Sequence, residues 1–185
     1  MKEIGERYAL LVKKGGIREN DRKAHERIHL MFGKAQNNLK LAKAVFEMSI
    51  SAKIKDVLKL KESDSFFDWS IQAAYYAMFH AANALLATKR VKITSIDSHA
   101  SALYAFGKHF ILSGELAEEL FVIYGQAEEK AMALFSSLAE EKEKRGFSAY
   151  QRLSRMNMEP AEESIEHASE FLRAIGDVLA KGNYI

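Results

Sequence analysis

Residues 69–88 read WSIQAAYYAMFHAANALLAT, running from Trp69 to Thr88 without a single Lys, Arg, Asp or Glu. Ile71, Tyr75, Met78, Ala82 and Leu85 recur at steps of three and four and make one helical stripe. Ala73, Ala77, Ala81 and Ala84 make a second stripe, of small side chains. The run is long enough to span a bilayer, but Gln72, His80, Asn83 and two tyrosines are poorly suited to hydrocarbon. The pattern predicts instead a central helix covered on several sides, its alanines letting neighbouring helices approach closely.

Working outward, the neighbouring segments are amphipathic. Ala35, Leu39, Ala42 and Phe46 share one face of a helix predicted over 35–51. Asp97 or Ser98 is placed to cap a helix carrying Leu103, Phe106 and Phe110 that ends near Gly114. From Glu115 to about Arg145, the positions Leu116, Leu120, Ile123, Ala127, Ala131, Leu134 and Leu138 repeat at helical spacing. A last helix is expected from Pro160, through Ile165, Leu172 and Leu179. Residues 53–68 are charged and irregular. Residues 1–32 read as an N-terminal helical extension broken at Gly15-Gly16, and 33–185 as the bundle. The expectation is an all-α, antiparallel up-and-down helical bundle of four to five main helices.

Composition agrees. Of 185 residues, 48% are hydrophobic and 28% charged, with one proline and ten glycines, too few breakers for a sandwich or barrel. No cysteine is present, which excludes disulfides, thiolate metal sites and a cysteine nucleophile. The net charge of +2 is not that of a strongly basic nucleic-acid binder, although residues 1–34 are richer in Lys and Arg than in Asp and Glu. The apolar stretch Tyr8–Val12 is too short for a secretory signal, so the expected location is the cytoplasm.

Few catalytic motifs stand in the chain. His25-Glu26-Arg27-Ile28-His29 matches the helical zinc-hydrolase string, in which two imidazoles one turn apart grip the metal and the glutamate activates water. Arg27 sets a cation beside that metal, and no third histidine follows at the extended spacing. Two exposed histidines on a charged helix are the favoured reading, and no metal is expected. Arg18 with His25 and Arg22 with His29 satisfy an Arg-x4-6-His spacing, but this composition supplies about 0.9 such matches by chance.

A set of short elements in fixed order carries more weight. Ala74-Tyr75-Tyr76-Ala77-Met78-Phe79-His80-Ala81-Ala82 is followed by Ser98-His99, then by Phe106-Gly107-Lys108-His109-Phe110. A long helix then leads to Arg145-Gly146-Phe147-Ser148-Ala149-Tyr150, and an amphipathic helix closes the chain. Over roughly residues 33–180 this order resembles the HEPN family of prokaryotic helical proteins, although 53–68 is longer than the usual connection.

The resemblance implies an antiparallel bundle, commonly a homodimer, often paired as a toxin with a minimal nucleotidyltransferase. Active members are metal-independent ribonucleases built on Arg-x4-6-His. By that resemblance Arg145 is the phosphate-holding guanidinium, suited to a forked contact and to charge in the transition state. Tyr150 stands where active members have histidine, and a phenol with a pKa of about 10 is a poor base at neutral pH. Binding therefore survives the departure better than catalysis. His80 and His99 are the candidates to replace the missing imidazole, and Arg145 with Tyr76 the candidate nucleotide-binding pair. Tyr75 and Tyr76 also read as core aromatics with one hydroxyl reaching a polar partner. The leading expectation is a nucleotide- or RNA-phosphate-binding interaction module without a cofactor. The alternatives are a ribonuclease toxin and the zinc hydrolase.

Overall fold

The computed structural model describes the backbone of residues 2–144 and 157–185, and side chains through 134 and again from 157. Arg145 and Tyr150 lie outside the described residues.

The helices are α1 (Lys2–Lys13), α2 (Ile28–Ile50), α3 (Ala52–Leu58), α4 (Phe67–Thr88), α5 (Ser98–Phe106), α6 (Glu118–Lys144) and α7 (Met158–Lys181). A π-helical segment, Gly107–Ile111, continues α5. The fold is the all-α bundle expected, and α4 is its centre: all but six of its residues are buried. Ala77, Ala81, Ala82, Ala84, Leu85 and Leu86 are fully enclosed, and α4 touches α2, α5, α6 and α7.

The direction of each helix follows from its contacts. Phe67 stacks on Phe46 with ring centroids 5.4 Å apart, and Ser70 Oγ donates to the Ala42 carbonyl at 2.8 Å, so α2 and α4 run antiparallel. Gln72 Nε2 donates to the Ala131 carbonyl at 2.8 Å, and Tyr75 lies 6.4 Å from Tyr124; α6 is antiparallel to α4. Tyr124 meets Phe171 at 5.3 Å while Lys130 Nζ donates to Glu163 at 2.7 Å, which sets α7 antiparallel to α6. A core of Tyr75, Phe106, Phe110, Tyr124 and Phe171 is built from α4, α5 with its π-helical continuation, α6 and α7.

Several boundaries differ from expectation. α2 begins at Ile28, with Ile28 and Phe32 buried. The irregular 53–68 stretch contains α3, capped by the Ser51 hydroxyl accepting from Ile54 N at 3.4 Å. Asp97 precedes α5 but makes no side-chain cap; its φ is 43° and its carboxylate binds Lys14 Nζ at 3.3 Å. α6 starts three residues after Glu115, and Pro160 falls inside the first turn of α7. No strand was expected, yet Ile17–Arg18 (β1) and Lys92–Ile93 (β2) form a small antiparallel ribbon.

The ribbon and α1 tie the N-terminal segment to the bundle. Ile4, Tyr8 and Leu11, at steps of four and three, are buried on one face of α1. Among the described residues no helix is long and apolar enough to cross a membrane. At Gly107 an added Cβ would lie 2.7 Å from Phe121 and 3.0 Å from Ile4. Gly107→Ala is therefore expected to overpack the junction of α1, α5 and α6 and cost about 1–3 kcal/mol. Urea unfolding with an unchanged midpoint would show that this packing has been misread.

Candidate functional site

Tyr75, Tyr76, Phe79 and His80 fall one turn apart on α4, along the edge where the helix emerges from the core. Tyr75 is buried, whereas Tyr76, Phe79 and His80 are half-buried. His99, the second residue of α5, lies against them. Its ring centroid is 5.1 Å from Phe79, 5.5 Å from Tyr75 and 6.1 Å from Tyr76. Tyr76 and Phe79 also border His80 at 6.3 and 5.5 Å. The structure thus gathers His80, His99 and Tyr76 into one cluster. Arg145 and Tyr150, assigned by the family resemblance, are outside the described residues.

The Tyr75 hydroxyl bonds to His99 Nδ1, the partner expected for one of the two tyrosine hydroxyls. Burial pushes the Tyr75 phenol far above its ordinary range, helped by the nearby Glu128 and Tyr76, so it stays protonated. His99 Nδ1 is the Tyr75 hydroxyl's one hydrogen-bond partner among the described residues. The arrangement that satisfies it has the hydroxyl donating and Nδ1 accepting. Neutral His99 then carries its proton on Nε2, and burial lowers its pKa, favouring that neutral form. In this tautomer His99 offers a donor rather than a base.

α6 adds residues that sequence reasoning did not select. Tyr124 and Glu128 face α4 one turn apart, next to Gln72. The Tyr124 hydroxyl, Glu128 Oε2 and Gln72 Oε1 are buried with no hydrogen-bond partner among the described residues. Desolvation raises the Glu128 carboxyl, with the neighbouring Glu129 adding to the shift, and raises the fully enclosed Tyr124 phenol well above its usual value. No step of the Leu120–Ala127–Ala131 repeat falls on Glu128, which opens the charged run Glu128-Glu129-Lys130, so the sequence held no signal that set it apart. His80 Nδ1 is likewise buried and unpartnered, its pKa lowered by desolvation and then by Lys34.

Beside this cluster, Asn38, Leu41, Val45, Trp69, Gln72, Ala73 and Tyr76 line a groove of about 330 Å³ between α2 and α4. Trp69 and Leu41 remain more than half exposed there.

The zinc reading is not supported. His25, Glu26 and Arg27 form a 3-10 turn and α2 begins only at Ile28, so the two imidazoles do not share one regular α-helix. His25 instead lies against Tyr184, at 5.8 Å, and the Thr88 carbonyl, at 3.4 Å. No group of three or more metal-ligating side chains occurs among the described residues.

The HEPN domain model matches residues 28–179. Two candidate toxins of Methanocaldococcus jannaschii are similar. MJ0142 is 35% identical over 65 residues, covering 35% of this chain and 42% of that protein. MJ0605 is 31% identical over 101 residues, covering 55% of this chain and 58% of its own length. The chain thus spans about half the length of the curated relatives it matches. No solved structure matches.

Two measurements check the geometry. Tyr75→Phe keeps the ring and removes the donor, so it should cost about 1 kcal/mol and raise the His99 pKa. An NMR titration of His99 unmoved by Tyr75→Phe refutes the bond. The second is pH-dependent. With the His80 pKa depressed, the unfolded chain takes up the proton first below about pH 6.5, so stability falls as pH drops through that value. Glu128 and Asp68, raised by desolvation, act in the opposite sense, as does any acid whose folded pKa is elevated. The His80 contribution is isolated by difference: His80→Gln should shrink the stability lost between about pH 7.5 and about pH 5.5. Equal losses in both proteins contradict it.

Proposed function

The chain belongs to the HEPN family, and from that premise we propose a toxin-type module that binds a nucleotide or RNA phosphate in the α4 cleft. It acts as a homodimer and pairs with a minimal nucleotidyltransferase. The observation carrying this reading is the convergence of Tyr76, His80 and His99 on the exposed edge of α4, beside an open groove. Tyr76 offers a ring face for a nucleobase. Neutral His99 offers an Nε2–H to a phosphate oxygen, and Arg145 supplies the forked charge that a phosphate requires. The half-exposed Trp69 and Leu41 give the same face the apolar anchors on which protein partners dock.

The similar candidate toxins favour a second reading, a metal-independent ribonuclease. Here Arg145 stabilises the pentacoordinate phosphate. His80 is left as the base that takes the proton of the attacking 2′-hydroxyl, and neutral His99 hydrogen-bonds the leaving oxygen through Nε2–H while solvent supplies that oxygen's proton. Tyr150 replaces the family's histidine and is the candidate acceptor if the partner transfers a nucleotide.

The test is purification of the full chain with whatever co-elutes, followed by binding and cleavage assays on single-stranded RNA. Arg145→Ala should weaken nucleotide or RNA binding by about tenfold or more. In the ribonuclease reading it also abolishes cleavage that persists in EDTA. Wild-type affinity in Arg145→Ala rejects the cleft, and an unmodified Tyr150 peptide after incubation with the partner and ATP, beside a modified control, rejects transfer to Tyr150.

A further inference from the structure

The β1–β2 ribbon places like charges face to face. Its register pairs Ile17 with Ile93 and Arg18 with Lys92. Ile17 is buried and Ile93 packs on the core, so Arg18 and Lys92 project together from the outer face. Opposed cations across an antiparallel pair repel, and a two-stranded ribbon this short has little stability to spare. The Asp21 N–H donates to the Arg90 carbonyl at 2.9 Å, which brings Arg90 and Arg22 to the same surface. Arg18, Arg22 and Arg90 are all exposed.

The acids of this region are already engaged. Glu19 accepts the Tyr8 hydroxyl at 2.6 Å, Asp97 binds Lys14, and Glu115 binds Lys89 at 2.6 Å. Asp21 pairs with Arg27; that bond, more than the field of Lys92, lowers its pKa. Arg18, Arg22, Arg90 and Lys92 have no acidic partner within 4 Å among the described residues. Two repelling cations on the ribbon, exposed Arg18 and half-buried Lys92, with exposed Arg22 and Arg90 beside them, call for an external polyanion.

We infer that this ribbon is a second binding surface, for the phosphate backbone of single-stranded RNA, separate from the α4 cleft and outside the cluster that carries the family resemblance. It rests on the phosphate-binding reading above, extending it from a mononucleotide to a strand. The surface chemistry favours RNA over a protein partner. Protein interfaces centre on apolar anchors and are poor in lysine, whereas the described residues of the two strands and of the 19–22 and 90–91 positions beside them include no exposed large apolar side chain. Backbone-binding surfaces are polar and positive. The small net charge of the molecule makes the local excess the relevant quantity.

The experiment is fluorescence anisotropy of a labelled single-stranded RNA of about 12 nucleotides against three full-length proteins. These are wild type, Arg18→Gln/Lys92→Gln, and a charge-matched control, Lys40→Gln/Lys43→Gln, on the exposed outer face of α2. The ribbon variant should bind about tenfold more weakly at low salt, with the slope of log affinity against log salt reduced by about 1.4, two phosphates' worth. The control should change by less than about twofold. Relief of repulsion should leave the ribbon variant's melting midpoint equal to wild type or higher, which separates lost contacts from lost folding. Equal weakening in both variants, or wild-type affinity in the ribbon variant, overturns the proposal, as does competition by polyglutamate as effective as by unlabelled RNA. Titration with AMP keeps the two readings apart. AMP binding abolished by Arg145→Ala but retained by the ribbon variant, without any RNA effect at the ribbon, sinks the ribbon and leaves the cleft standing. AMP binding untouched by Arg145→Ala, with RNA lost at the ribbon, does the reverse.

Discussion

Everything in this bundle leans on α4 being buried along nearly its whole length. A helix enclosed by four others must present small side chains where neighbours come close and large ones where they diverge. Ala77, Ala81 and Ala84 provide the close approach, as do the buried Ala35 and Ala42 on α2; Tyr75, Met78 and Leu85 fill the wider gaps. Beyond its first turn, where Asp68 accepts from Asn157 Nδ2 at 2.6 Å, charge is excluded from such a helix because an unpaired ion there would lose most of its hydration. What remains admissible is a limited set of neutral polar groups, and these are the groups that make a site. Ser70 and Gln72 satisfy themselves partly on the backbones of α2 and α6. Tyr75 reaches out to His99. His80 has one ring nitrogen without a partner among the described residues. The site is the residue of polarity that a centrally buried helix can carry.

That constraint explains what the sequence reveals and what it hides. An uncharged run with stripes at steps of three and four can only be covered on several sides, so the all-α architecture and the central place of residues 69–88 are legible from pattern alone. Family order puts Tyr76, His80 and His99 forward as separate candidates, but that they form one cluster is decided by how α4 and α5 pack. The direction of the Tyr75 hydroxyl was half legible: a buried phenol needs a partner, but periodicity does not name it. Glu128 was harder. In sequence it is one of three charged residues between Ala127 and Ala131, and only packing against α4 makes it a raised carboxyl beside Tyr75 and Tyr124.

The elements that local pattern does not decide share a physical cause as well. Asp97 has the composition of an N-cap, but Lys14 lies across from it, so the carboxylate makes an ion pair instead. The histidine–glutamate string at 25–29 has zinc-hydrolase spacing, but a 3-10 turn precedes α2 and the His25 ring rests on Tyr184. The β1–β2 ribbon escaped notice because two-residue strands leave no period to detect. In each case a contact from a distant part of the chain decided between local alternatives that sequence leaves open.

The N-terminal segment is best understood through the same competition. Tyr8 on α1 donates to Glu19 and meets His109 of the π-helical segment at 3.1 Å, while Ile4 packs against the site that only glycine at 107 leaves open. Burial lowers the His109 pKa more than its neighbouring charges, of both signs, alter it, which keeps the ring neutral and the seam intact. Because Glu19 is committed to Tyr8 and Asp21 to Arg27, neither is free to cover the ribbon's cations. The contacts that hold the N-terminal segment on the bundle are thus the ones that leave exposed Arg18 and half-buried Lys92 without an acidic partner within 4 Å among the described residues. Attaching this segment and charging the surface beside it are one arrangement, set by which partner each acid has taken.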